Sequence, residues 1–519
     1  MNKTRGHILW VDDEIHHLKP HILFLEQKGY IIHKTTNGKD AVEMVKKQSY
    51  VLVLLDQSMP GIDGLETHNQ IKKVNATIPV IMITKTEDEW LMDEALTGSV
   101  EQFLIKPVNP SQIFMACKQV LESGRLTEQK ISNQYLKDFQ EFESMLDGSL
   151  QIDGWWSLYD RLSGWQIKFD QHADTGLESI IAEQIQTCNR EFSAFIESKY
   201  RDWIWSEDRP VMSTDVIGKT VKPLLDKSEK VCFIVVDCMR HDQFKSLMPI
   251  FESMFNIEVD YKLSLLPSAT PYSRNAIFSG LFPDQMVKKY PEQQKAMEKH
   301  EAGLNQLENF FLIDQLERLE LKHLTTHYHK IWAFEEGKKF EKYILNLLKK
   351  DLIALVVNFV DLLAHSSSQT IVLKEIVQDE KGYRKAVKSW LEESWLLHIL
   401  KILSKNKFTV VITSDHGSIR VNKEAMVAAD RGASSGVRYK FGRNLNTNKR
   451  NALIIDNPAD FRLPVFGPQP SYIIAKDDNF FVYPNQSNKY SAKFKNSFQH
   501  GGISMEEMMV PVAVMKPRI

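Results

Sequence analysis

Two sets of acidic, imidazole and hydroxyl side chains, one in each half of a 519-residue chain, have the types and order needed for phosphoryl chemistry. In the first set, Asp12 and Asp13 follow the first predicted strand, Asp56 ends the third, Thr84 the fourth, and Lys106 follows the fifth. Three carboxylates in one pocket repel one another, and one Mg²⁺ is their natural neutralising partner. Asp56 can then serve as a carboxylate nucleophile for a phosphoryl group. Thr84 would donate to a phosphoryl oxygen, and Lys106 would pair with its charge.

The second set is dispersed. Asp237 ends a strand, Thr270 sits in S-A-T-P-Y-S-R, Asp361 and His365 lie four apart, Asp415 and His416 precede Gly417, and His500 precedes Gly501 and Gly502. Each has an ordinary reading alone: a helix cap, a surface i,i+4 pair, a turn, a loop tip. Carboxylates and imidazoles are also Zn²⁺ ligands, and these follow strands that can share one sheet edge. Pro271 suits a first helical turn, which makes Thr270 the expected N-cap at the positive end of the helix dipole. That place favours a phosphate, and a hydroxyl there becomes a good nucleophile only if a metal lowers its pKa. Arg274, one turn on, is expected to hold a phosphate oxygen or orient Thr270. Residues 431–450 carry Arg431, Arg438, Lys440 and Arg443 around Tyr439 and Phe441, with no acid. This stretch is read as a loop overhanging the site, with cations and rings suited to a short nucleic acid.

The elements that must position these groups are legible as alternating patterns. Residues 1–122 contain five βα units whose continuous apolar strands, such as VLVLLD (51–56), imply a parallel sheet covered on both faces. A helix is expected through Ala95 and a final one from Ser111. Residues 123–206 turn polar and read as a helical-bundle spacer. From 207 to 519 the βα alternation returns: VCFIVVDCMRHD (231–242), DLIALVVNFVDLLAH (351–365) and FTVVITSDHGS (408–418) each place acid at a strand end. In open α/β sheets, functional groups gather at those ends. The expected class is α/β: a doubly wound N-terminal domain, a helical spacer, and a larger α/β domain.

Composition narrows the function. At ~100–200 residues per domain, the length suits about three domains. An apolar fraction of 43% and 25% charged residues exclude a disordered or fibrous chain. A net charge of −2 excludes a protein that coats nucleic acid electrostatically. No apolar run approaches the ~20 residues of a membrane span. The start, MNKTRGHILWVDDE, reaches acid too soon for a signal peptide, and Cys117, Cys188, Cys232 and Cys238 show no CxxC spacing. A cytoplasmic protein with reduced thiols is expected.

The segments V-D-D-E, D-x-x-M-P-G-x-D-G (56–64), T-K-T-E (84–87) and F-L-I-K-P (103–107) resemble the receiver domain of two-component response regulators. The resemblance implies phosphorylation of Asp56 by a histidine kinase, Mg²⁺ on Asp12, Asp13 and Asp56, a switch pair of Thr84 and Phe103, and a cis Lys106–Pro107 bond. Lys85 departs from the small residue usual beside the phosphorylation site, which bears on the phosphate's lifetime. The second set, with H-G-G-I-S-M-E-E-M-M-V-P-V (500–512), resembles the PglZ branch of the alkaline phosphatase superfamily. That resemblance implies two zinc ions, one on Asp361, His365 and His500 and one on Asp237, Asp415 and His416, with Thr270 bridging as nucleophile. T-P-Y-S-R also resembles the sulfatase motif, but threonine cannot give formylglycine, so sulfatase activity is not expected. A threonine nucleophile resembles the superfamily's phosphodiesterases. The order receiver, helical spacer, PglZ domain resembles the PorX family, response regulators of Bacteroidetes linked with type IX secretion and gliding. The receiver resemblance implies a phosphorylation-promoted homodimer, and the basic stretch with the threonine nucleophile predicts a nucleotide or short oligonucleotide diester as substrate. The alternative is a signalling adaptor for the secretion motor or a sigma factor, with a structural metal site.

Overall fold

Strand β1 (Gly6–Val11) is buried over its last four residues, because helices cover both faces of the sheet it enters. With β2 (Tyr30–Thr35), β3 (Leu52–Asp56), β4 (Val80–Thr84) and β5 (Gln102–Ile105) it forms an all-parallel sheet of order β2-β1-β3-β4-β5. The computed structural model describes residues 5–85, 100–172, 176–292, 307–367, 375–430, 433–465 and 470–518. The helix expected through Ala95 lies outside the described residues. Helices α1 (Lys19–Gln27), α2 (Gly38–Lys47) and α3 (Gly64–Val74) follow the first three strands, and α4 (Pro110–Asp147) follows the fifth. Asn37 and Asp63 cap α2 and α3 by accepting from Asp40 N and Glu66 N, the usual role of short polar side chains there. Ile8 and Trp10 pack with Ile22 and Ile113 on one face, and Leu9 and Val11 pack with Val42 and Ile71 on the other.

Helix α4 runs without interruption past the expected boundary at residue 122. Residues 1–139 with 172–175 form one compact unit, and residues 140–171 with 176–519 form a second. Helices α5 (Ile152–Gln171) and α6 (Glu178–Trp203) lie within the second unit. These are the helices expected of the spacer, and they pack into the second unit: Trp155, Leu158, Phe192 and Ile196 are buried along them, and their polar side chains bond into the larger domain.

The second unit is built on a six-stranded sheet. β6 (Val231–Val236), β7 (Phe255–Leu263), β8 (Thr326–Ile331), β9 (Leu352–Val357) and β10 (Thr409–Thr413) are joined by a C-terminal strand, Met509–Pro517, in the order β7, C-terminal strand, β10, β6, β9, β8. β10, β6, β9 and β8 are parallel, whereas the C-terminal strand runs antiparallel to β10 and β7. VCFIVV of β6 is buried at every position. Full burial of one such side chain contributes roughly 1.5–3 kcal/mol. The consequence for chemistry is direct: β10, β6 and β9 are neighbours, so residues following their carboxyl ends meet at one edge.

Candidate functional site

In the first unit the topology brings the carboxyl ends of β1, β3 and β5 together. Asp12 and Asp56 are buried and Asp13 is exposed. One oxygen from each lies within 4.8 Å of the others, an all-oxygen set that suits Mg²⁺. Lys106 Nζ sits 3.0 Å from Asp12 Oδ2 and 3.1 Å from Asp56 Oδ1. Burial raises the Asp56 carboxyl above its ordinary pKa against the pull of Lys106. Burial works to lower the Lys106 amine, but hydrogen bonds to Asp12 and Asp56 hold it above its ordinary value. The Lys106–Pro107 peptide is cis. Thr84 is buried at the end of β4, and Phe103 is half-buried on neighbouring β5. Gly64 is required by close approach: a Cβ there would lie 2.6 Å from the Asp56 carbonyl oxygen. Lys85 reaches Glu14 at 3.6 Å through an exposed pair.

In the second unit six ligand-type residues fall into two triads. Asp237 follows β6, Asp361 and His365 lie on the helix Phe359–Ser367 after β9, and Asp415 and His416 follow β10. Asp361, His365 and His500 each offer one atom within 4.8 Å of the others, and so do Asp237, Asp415 and His416. His365 Nε2 is 3.2 Å from Asp361 Oδ1 and 3.3 Å from His500 Nε2. The His416 and His500 rings stack at 4.3 Å, which places the triads side by side. Burial and the neighbouring imidazoles push His500 down to about 3, so it is a neutral donor. Burial opposes ionisation of Asp361, but the hydrogen bond from His365 holds its carboxyl at about 2. Buried Asp237 Oδ1 and His500 Nδ1 have no hydrogen-bond partner. Mixed carboxylate and imidazole donors with orphaned atoms of this kind fit zinc.

Thr270 opens the helix Thr270–Ser279, with Pro271 in its first turn and Gly280 (φ 62°) closing it in the left-handed conformation. The N-cap is Ala269, not Thr270. The Thr270 hydroxyl is instead engaged 3.0 Å from His416 Nε2. His416 Nδ1 lies 3.0 Å from the Gly417 carbonyl oxygen, a contact that orients the ring with Nε2 towards Thr270.

Arg274 departs from its expected role. It is fully buried, forms an ion pair from Nη2 with Asp237, and lies 3.1 Å (Nε) and 3.0 Å (Nη2) from Asp415 Oδ2. It braces two ligand carboxylates instead of reaching a phosphate. Burial and mutual repulsion raise Asp237, against Arg274. For Asp415, burial is outweighed by His416 and Arg274, which hold it low.

The basic stretch is also different from expectation. Tyr439–Gly442 is a strand paired with Ser471–Ala475, not an overhanging loop. Arg438 is fully buried and donates from Nη2 to Glu507 Oε2 at 2.5 Å. Lys440 is buried, donates to the Ser434 carbonyl and lies over the Tyr483 ring at 4.8 Å. Residues 437–440 are buried without a break, so the two cations must each meet an acid or a carbonyl. Arg443 is exposed, and Arg431 lies outside the described residues.

Sequence reasoning missed Glu507. Its carboxylate accepts from Gly502 N at 2.8 Å and Ser504 Oγ at 2.9 Å, and its carbonyl accepts from Gly417 N at 3.0 Å. One residue thus ties the His500 loop to the Asp415–His416 turn. The signal for it was the glycines: a Cβ on Gly417 would lie 1.9 Å from the Glu506 carbonyl oxygen, and one on Gly502 would lie 2.2 Å from Arg438 Nη2.

Residues 216–515 match the family described as the BREX system PglZ alkaline phosphatase-like domain. Residues 8–118 match the response regulator receiver domain, and residues 125–204 match the PorX response regulator linker domain. Among curated proteins, the transcriptional regulatory protein SrrA of Staphylococcus aureus is 28% identical over 138 residues, which is 27% of this chain and 57% of that protein. The chain thus spans little more than half the length of that relative. Among solved structures, a response regulator from Desulfuromonas acetoxidans is 30% identical, covering 22% of this chain and 96% of the other, with a TM-score of 0.21. A two-component response regulator from Clostridium difficile is 25% identical, covering 23% and 97%, with a TM-score of 0.22.

Proposed function

Because the chain belongs to the PglZ alkaline phosphatase-like family and carries a response-regulator receiver domain and a PorX-type linker ahead of that domain, we propose that it is a response regulator whose output is a zinc-dependent phosphodiesterase. The observation that carries this reading is the Thr270 hydroxyl, set 3.0 Å from His416 Nε2 beside two triads of ligand-type residues. Zinc held by Asp361, His365 and His500, and by Asp237, Asp415 and His416, would lower the pKa of the Thr270 hydroxyl and neutralise phosphate charge. Thr270 Oγ attacks phosphorus, the bond to one ester oxygen breaks, and that alcohol departs. Water then cleaves the phospho-threonine and restores the hydroxyl. Arg274 keeps Asp237 and Asp415 aimed, and the Gly417 carbonyl keeps the His416 ring oriented.

The proposed substrate is a nucleotide or short oligonucleotide diester, and its recognition no longer draws on Arg438 or Lys440. The proposed biological role is control of type IX secretion and gliding, with a histidine kinase as phosphodonor to Asp56 and phosphorylation promoting a homodimer. The test is hydrolysis of bis(p-nitrophenyl) phosphate and short oligonucleotides by the wild type and Thr270→Ala; equal rates would remove Thr270 as nucleophile. A second reading, a signalling adaptor for the secretion motor or a sigma factor with a structural metal site, is favoured by the complete burial of Asp415 and His416. Signalling lost in Asp56→Ala but kept in Thr270→Ala would select the adaptor.

A further inference from the structure

Helix α6 makes a second kind of contact besides its apolar packing. Gln186, Asn189, Ser193 and Glu197 recur at helical spacing and form a polar ladder. Gln186 donates to Asp478 Oδ2 at 3.3 Å, and Lys476 Nζ donates to Glu197 Oε2 at 2.5 Å. Between them, buried Ser193 donates to the Ile503 carbonyl at 2.9 Å and accepts from Asp477 N at 3.1 Å. Buried Asn189 donates to both carboxylate oxygens of Glu506, at 3.2 and 2.9 Å, and accepts from Met505 N at 2.8 Å. A side chain with this many specific partners fixes register as well as contributing stability.

The segment gripped by this ladder is the one that joins the two ligand triads. His500 lies just before it. Glu507, at its end, holds Gly502 N and Gly417 N, and the Glu506 carbonyl fills the space beside Gly417. At the other side of the ladder, Gln184 of α6 donates to Glu143 near the end of α4 at 3.4 Å. Helix α4 begins at Pro110, directly after β5 and Lys106.

We propose that Asn189 and Ser193 are positioning residues of the metal site: through residues 503–507 they set the placement of His500 against the Asp415–His416 turn, so α6 is the element by which the linker regulates that site. This rests on the metal reading given above and deepens it. A shift of α6 by a fraction of a helical turn would break the Asn189 and Ser193 bonds together. Residues 503–507 would then lose the partners that hold both triads in register.

The test uses the full chain with Asn189→Leu, the milder Ser193→Ala, and Ile196→Val as a control on the apolar face of the same helix. Amide hydrogen exchange is followed over residues 414–420 and 499–508 in metal-free protein. Zinc affinity is then measured by chelator competition. Asn189→Leu is expected to speed exchange in both segments and weaken zinc binding about tenfold, the low end of the effect of losing an outer-shell partner. Ser193→Ala is expected to do the same to a smaller degree, and Ile196→Val to lower thermal stability without either change. Unchanged exchange in both ladder variants, or equal change in Ile196→Val, overturns the proposal. Wild-type protein that takes up no zinc would defeat the metal reading instead, and the exchange comparison would still decide whether α6 positions the segment.

Discussion

Gly417→Ala isolates one steric contact at the centre of the site. The added Cβ would lie 1.9 Å from the Glu506 carbonyl oxygen, where real Cβ atoms keep at least 3.0 Å. Restoring that separation demands a shift of about 1.1 Å by the Asp415–His416 turn or by residues 503–507. The obstacle is backbone, so it cannot rotate away, and Arg240 Cγ at 3.1 Å limits escape on another side. Gly417 does not adopt a positive φ, so steric crowding, not backbone strain, is the cause. A displacement of about 1 Å in a positioned group costs on the order of 100-fold in rate, or about 2.7 kcal/mol of barrier. The assay is kcat/KM on bis(p-nitrophenyl) phosphate, with beryllofluoride binding to the receiver as a control for the rest of the chain. A fall of about 100-fold with intact receiver binding is expected. Wild-type kcat/KM in a folded Gly417→Ala variant would refute the claim that the 503–507 segment fixes the catalytic turn.

Arg438→Met should leave Glu507 buried without its cation and cost about 3–5 kcal/mol of stability, read by calorimetry; a stable variant with a raised KM would return Arg438 to substrate binding. Burial pushes the Glu506 carboxyl up to about 7 from an ordinary 4.5, opposed chiefly by Arg240. A raised folded pKa means that stability is complete below about pH 4.5 and falls as pH rises towards 7. Glu506→Gln is therefore expected to flatten that part of the stability–pH curve of metal-free protein; an unchanged slope would contradict the assignment. Beryllofluoride is expected to shift wild-type elution towards a dimer and to leave Asp56→Ala unmoved, checked by size-exclusion chromatography with light scattering.

Much of this molecule was readable because strand ends announce themselves. Asp56 and Asp237 each follow an unbroken apolar run, Asp415 follows the end of β10, and the parallel order β10-β6-β9 makes the latter two sites converge. The His365–Asp361 pair was visible from its spacing on a helix. The basic stretch misled because charge alone does not report direction: Arg438 and Lys440 turn inward, where Glu507 and the Ser434 carbonyl meet them. Arg274 misled for a related reason, since its place one turn after Thr270 fits either a phosphate or the carboxylates it braces. The C-terminal strand was hidden by Pro511, a residue that ordinarily argues against a central strand. The packing of the linker onto the larger domain was invisible because Asn189 and Ser193 find partners more than 300 residues away in sequence.

The most direct measurement is metal content and diesterase activity on the same samples of wild type and Asp361→Ala. Wild-type protein is expected to carry two zinc equivalents and hydrolyse bis(p-nitrophenyl) phosphate, and Asp361→Ala to lose one equivalent together with the activity. Full activity in Asp361→Ala, or in wild-type protein freed of zinc by a chelator, would contradict a zinc phosphodiesterase built on these triads.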